Sequence, residues 1–313
     1  MRSITQSLFV LASCVILSAS ASAQGPAKKA NTKAEAKPPV KSEKLLDYAS
    51  AQKFVIGLIN RDRAKAGLRP VVMDDAASKA GLRHARDMAA KGFTGHIGTD
   101  GSVPEQRYTE SGGEHFVQEN AACLFDQKER KLDDKARFDA TKLAELHQMF
   151  MDEVPPNDGH RQNILKPLHN RVGIGLAQPE GVNQPCLTQE FVDRYAELEA
   201  LPREAKPKAK LKIAGTVSEP LIFGGIGIGH EPLPQPKRIE EVSGARAYAI
   251  PAPDQLYFGP GFKSPKPVTV DGNQFSIELE IGGKRGQYGV SIWARERTSN
   301  KLFMVSLRTI AVR

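Results

Sequence analysis

Gly159-His-Arg-Gln-Asn-Ile-Leu165, Arg171-Val-Gly-Ile-Gly-Leu-Ala177 and Cys186-Leu-Thr-Gln-Glu-Phe-Val192 stand in close succession. Asp158-Gly159 is turn chemistry ahead of a helix, and the two later runs read as strands. Helical signals lie upstream. Leu46, Ala49, Phe54, Leu58 and Ile59 recur at helical spacing with Gly67 as the stop, which predicts a helix over residues 43–66. Ala80, His84 and Met88 repeat at i, i+4 before Gly92, predicting a second over 76–91. A third is expected over 138–153, stopped by Pro155-Pro156. Helices and strands that must cover one another's apolar faces make an α+β domain with an antiparallel sheet.

Beyond Lys212 the texture changes to alternation with a period of two, as in Phe275, Ile277, Leu279 and Ile281 or Phe303, Val305 and Leu307. With turns such as Asp271-Gly272 and Gly282-Gly283, this region is expected to be a two-sheet, immunoglobulin-like sandwich. Gly224-Gly-Ile-Gly-Ile-Gly229 is followed by His230-Glu-Pro rather than a helix, so it reads as a loop or strand edge and not as a phosphate cradle.

The chain has 313 residues, 40% hydrophobic and 26% charged, which suits two soluble domains and excludes a fibre or a polytopic membrane protein. The continuous apolar run Leu8 to Ala19 is too short to span a bilayer. Between Arg2 and Ala21-Ser-Ala23 it has the order of a signal peptide, so an exported protein is expected: periplasmic, extracellular or held at the cell envelope, without a transmembrane anchor. The net charge of +8 is confined to residues 24–44 and 203–212 together with Arg2. It belongs to tethers rather than to a folded face, and nucleic-acid binding is not expected. The expected organisation is a signal peptide (1–23), a disordered Lys/Ala/Pro-rich linker (24–44), the α+β domain (45–200), a basic linker (201–212) and the sandwich (213–313).

Asn60-Arg-Asp-Arg63, Gly67-Leu-Arg-Pro70, Ala85-Arg-Asp-Met-Ala89, Phe93-Thr-Gly-His96, Glu119-Asn120, Gly159 to Leu165, Val172-Gly-Ile-Gly175 and Thr188-Gln-Glu-Phe191 occur in this order. Each is weak alone, but together they resemble the bacterial branch of the CAP superfamily, whose SCP domain is shared by cysteine-rich secretory and plant pathogenesis-related proteins. The resemblance implies an α-β-α sandwich with a cleft of two histidines and two glutamates. Matched by position these are His96, Glu119, His160 and, least securely, Glu105, for which Glu110 or Glu114 could substitute. Gln118 stands where the family has glycine and Phe150-Met151 where it has tryptophan, which leaves ligand preference open.

Imidazoles and carboxylates brought together are ordinary ligands for one divalent cation, zinc or a similar metal, here through His96, His160 and Glu119. Without a metal, the same groups can share protons and perturb one another. His84 and His147 lie within helices, where core hydrogen bonding is the expected role, and His115, His169 and His230 are assigned none. In an exported chain, Cys123 and Cys186 are expected to form a disulfide, with two free thiols as the alternative.

Three functions compete. The first is a cleft that binds a divalent cation or a small-molecule, lipid or envelope ligand, with no enzymatic activity assigned. The second is a metal-assisted, peptidase-like hydrolase with Glu119 or Glu105 as general base. The third is an adhesive envelope protein working through its sandwich. The family resemblance is compatible with each.

Overall fold

Helix α1 (Tyr48–Lys65) begins where Asp47 accepts the Ser50 N–H at 2.8 Å, a side-chain cap for a backbone donor left free by the first turn. This computed structural model describes residues 44–244, 247–299 and 301–313, so the signal segment and the linker up to residue 43 lie outside the described residues. The helix starts later than residue 43 because Leu45–Leu46 (β1) pairs instead with Phe138–Asp139 (β4).

Helix α2 (Asp75–Lys91) is capped by Asp74 at its start and by left-handed Gly92 at its end. Helices α3 (Pro104–Glu110), α4 (Ala140–Met151) and α5 (Gly159–Ile164) complete the helical set of this region. The sheet has the order β2 (Val72–Met73), β5 (Arg171–Ala177), β6 (Cys186–Asp193), β3 (Phe116–Ala122). β2 joins β5 in parallel; the other pairs are antiparallel.

Alternation along β5 builds three layers. Val172, Ile174 and Leu176 face α1 and α4 in one core with Val55, Ile59, Leu143, Leu146 and Phe150. Gly173 and Gly175 face α2. A Cβ on Gly173 would lie 2.2 Å from the Ala77 carbonyl carbon, and one on Gly175 would lie 2.1 Å from that of Gly81. The helix therefore rests on bare strand backbone, which is why the strand reads Val-Gly-Ile-Gly-Leu.

The remaining strands form two facing sheets. One runs β11 (Gln255–Tyr257), β10 (Leu221–Glu231), β14 (Gly286–Glu296), β15 (Leu302–Val312), β8 (Glu204–Ala205). The other runs β12 (Thr269–Asp271), β13 (Gln274–Glu280), β9 (Lys210–Val217), β7 (Ala196–Leu198). A shared core of Ile213, Ile226, Phe275, Ile277, Val290, Ile292 and Ile310 fills the space between them.

Two expectations change here. Residues 201–212 are not a free tether: β8 pairs in parallel with Ala311 and Val312, and Lys210 opens β9. Lys210 and Lys212 point outward while Leu211 and Ile213 point inward, a two-residue period that the lysine-rich composition masks. The glycine run Gly224–Gly229 is likewise no loop or sheet edge. It lies inside β10, flanked by β11 and β14.

The connection from β10 to β11 leaves the sandwich and packs on the helical region. Lys237 N–H donates to Thr99 O at 2.8 Å, and after it α6 (Ile239–Gly244) buries Val242 among Met88, Phe93 and Ala121. Ser42–Arg313 accordingly forms one compact unit.

Candidate functional site

β3 is the edge strand of the three-layer sheet, and successive residues on it hold the two histidines from opposite faces. Glu119 faces α2. Its Oε1 lies 2.9 Å from His96 Nδ1, at the loop that follows the Gly92 stop. Asn120 faces the other way. Its amide donates to the His160 carbonyl at 3.0 Å, which fastens the first turn of α5, and Asn163 in turn donates to Asn120 Oδ1 at 3.0 Å. The Glu-Asn pair thus brings the His96 and His160 rings to a centroid separation of 6.1 Å.

Each imidazole has a carboxylate behind it. His160 Nδ1 contacts Glu153 Oε1, and the His160 N–H donates to Glu153 Oε2 at 2.9 Å. Both rings keep partial exposure, and among the described residues neither Nε2 has a hydrogen-bond partner. Phe150 packs against His160 at 4.7 Å.

Arg107 is the hub beneath His96. Its guanidinium, 1% exposed, donates to Glu119 Oε2 at 2.8 Å, to Ser102 O at 2.8 Å and to His96 O at 3.1 Å. Burial alone would raise the Glu119 carboxyl. His84, Arg107 and the His96 hydrogen bond outweigh it and hold Glu119 well below the usual carboxylate range. His84, buried 3.8 Å away with Nε2 on Gly95 O at 2.7 Å, is itself pushed down to about 4, first by burial and then by Arg107. Directly opposite Glu119 in the β3–β6 ladder stands Glu190, fully buried and raised well above the ordinary range by burial and by the Glu119 charge. The two facing carboxyls are thus pushed in opposite directions, Glu119 down and Glu190 up.

Glu105 is not among the groups touching the histidines. It is buried, and its Oε2 accepts a hydrogen bond from Tyr248 Oη at 2.8 Å. Burial raises its pKa, with the Tyr248 bond opposing. Tyr248, from the β10–β11 connection, lies with its ring 6.1 Å from that of His96 and so links Glu105 to that histidine indirectly. Glu110 is engaged with Arg83 and Gln106 instead. Each oxygen of Glu119 has a partner, and Glu105, 4% exposed, has Tyr248 on its Oε2.

The sequence reading missed Glu153, Glu190, Arg107 and Tyr248. Arg107 carried a signal, as the arginine following Glu105, and Glu190 lies in the Thr188-Gln-Glu-Phe191 motif. Glu153 and Tyr248 carried none, because their partners are met only through the fold. His84 and His147 do make core hydrogen bonds; His147 Nε2 lies 3.0 Å from Asp62 Oδ2. Cys123 and Cys186 are disulfide-bonded.

Residues 56–191 match the model of the cysteine-rich secretory protein family, CAP. This segment is a CAP domain. The chain is 27% identical over 183 residues to the uncharacterized protein YkwD of Bacillus subtilis, a match covering 54% of this chain and 62% of that relative. Among solved structures it is similar to an extracellular SCP-domain protein from Bacillus anthracis, with 19% identity, 47% of this chain and 41% of that chain covered, and a TM-score of 0.35. It is also similar to an outer surface protein of Borrelia burgdorferi, with 15% identity, 48% and 97% covered, and a TM-score of 0.36. Among the described residues, no helix is long and apolar enough to cross a membrane, and no three His, Cys, Asp or Glu side chains are already gathered as a metal cluster.

Proposed function

We propose that this is an exported CAP-domain protein whose cleft binds a divalent cation through His96 Nε2 and His160 Nε2. The observation that carries this reading is the carboxylate behind each imidazole: Glu119 on His96 Nδ1 and Glu153 on His160 Nδ1. A carboxylate accepting the Nδ1 proton fixes the tautomer and aims Nε2 outward, the usual support for a metal-bound histidine. Glu119 in this reading orients a ligand rather than serving as one, and two histidines leave positions for water or an outside donor. A bound cation would supply charge with which to capture an anionic or carbonyl-bearing small ligand.

Export is supported by the signal-like first 23 residues and by the disulfide. The C-terminal unit is read as an immunoglobulin-like module. Its support is the strand orders β12-β13-β9-β7 and β11-β10-β14-β15-β8, with β8 in parallel on the last strand.

The test is zinc titration of the full chain by calorimetry, with elemental analysis after desalting. One zinc per chain is expected in the wild type and none in His96→Ala or His160→Ala. Absence of stoichiometric zinc from the wild type, or its retention in both variants, overturns the reading.

A further inference from the structure

We propose that a recess between the CAP domain and the C-terminal sandwich, centred on Arg308, is a binding site for a small oxyanion, a carboxylate or phosphate group. Arg308 lies on β15 and is 2% exposed. Its Nη1 donates to the Glu199 carbonyl at 2.7 Å, while Nε and Nη2 are buried without a partner among the described residues. A buried guanidinium is normally paired, because removing its charge from water is costly unless an anion or several acceptors replace the hydration. One carbonyl does not replace it, and burial depresses the Arg308 pKa to about 10.

Arg308 is among the residues that line a recess of about 210 Å³, and its two unused donors are closed off from solvent. Water's share of the liquid is about 30 Å³, so a carboxylate or phosphate group fits there with room to spare. The walls carry Thr109, Thr309 and Arg203 beside Arg308. Arg203 reaches across to the Glu110 carbonyl at the end of α3, so both modules and a second guanidinium bound the space. Glu114 is the one acidic side chain in the lining; it attracts Arg308 through space, though burial outweighs that attraction. A second residue reports the same positive field: His115, buried with Nδ1 unpartnered, is held down to about 4 by burial and by Arg194, Arg308 and Arg171. A planar fork with two free N–H groups matches the paired oxygens of a carboxylate or phosphate. This site is separate from the histidine cleft and stands or falls without it.

The experiment is thermal melting of the full chain at pH 7 and constant ionic strength, exchanging sodium chloride for sodium phosphate in one arm and sodium acetate in the other. The wild type is expected to gain a saturable rise in Tm in at least one arm, and the arm identifies the oxyanion. Arg308→Gln should lose the rise and His96→Ala should keep it. Arg308→Lys retains charge without the fork, and Arg203→Gln retains Arg308; each should weaken the apparent affinity about tenfold, the equivalent of one charge-assisted hydrogen bond. If Arg308→Gln fails to fold, these two variants decide. A wild type with no saturable rise, or variants that match the wild type, would mean water alone fills the recess and would overturn the proposal.

Discussion

His84 gives the sharpest test of the electrostatics around Glu119. It is 1% exposed, and its pKa is pushed down to about 4 from an ordinary 6.5, so it stays neutral in the folded chain well into the acid range. At pH 7 both folded and unfolded chains hold it neutral and it has no effect on stability. As the pH falls below 6.5, the unfolded chain takes up the proton while the folded chain does not until about 4, so stability is lost. At 1.36 kcal/mol per pH unit the loss reaches about 2 kcal/mol at pH 5 and about 3 kcal/mol at pH 4. His84→Gln removes the titration yet keeps an N–H for the Gly95 carbonyl. Urea unfolding followed by circular dichroism, without added metal, should show the wild type losing that much more stability than His84→Gln on acidification from pH 7. The other ionisable groups are common to both proteins, and in the variant Arg107 and His96 still hold Glu119 down, so between pH 7 and pH 5 the difference reports His84. Profiles that stay parallel within about 0.5 kcal/mol down to pH 5 would refute the burial argument, since a normally titrating histidine contributes no such term.

Glu119→Gln should destabilise the fold by about 3–5 kcal/mol in the same assay, because the Arg107 guanidinium is left buried without its counter-charge. Gly175→Ala should cost about 3 kcal/mol, the upper end for overpacking, since its Cβ would meet α2 backbone rather than a side chain that can turn away. Gly57→Ala, in α1 with nothing within 4 Å, should instead stabilise by up to about 1 kcal/mol. Replacing Cys123 and Cys186 by serine should cost about 4 kcal/mol by the chain-entropy relation for a separation of 63 residues, read as a lower Tm matching that of the reduced wild type.

Helices α1, α2 and α4 were legible because apolar spacing and stop residues are local: Gly92 caps α2, and Pro155-Pro156 lie just past the end of α4. The alternation in Phe275 to Ile281 announced β13 in the same way. The stretch 201–212 was misread because charge composition outweighed a short alternation whose inward residues, Leu211 and Ile213, gain their meaning only from the facing sheet.

Three helices, several strands and an expected disulfide could be read along the chain, and the ordered motifs singled out His96, Glu119 and His160, because hydrophobic period, turn chemistry and motif order are local. Tertiary structure alone decided which groups touch. It put Glu153 rather than Glu105 on the second imidazole, made Arg107 the hub, faced Glu190 against Glu119, and carried Tyr248 across from the sandwich. Hydrogen bonds and charge interactions act over a few ångströms of space, so the partners of a buried polar group are fixed by packing and have no required separation in sequence.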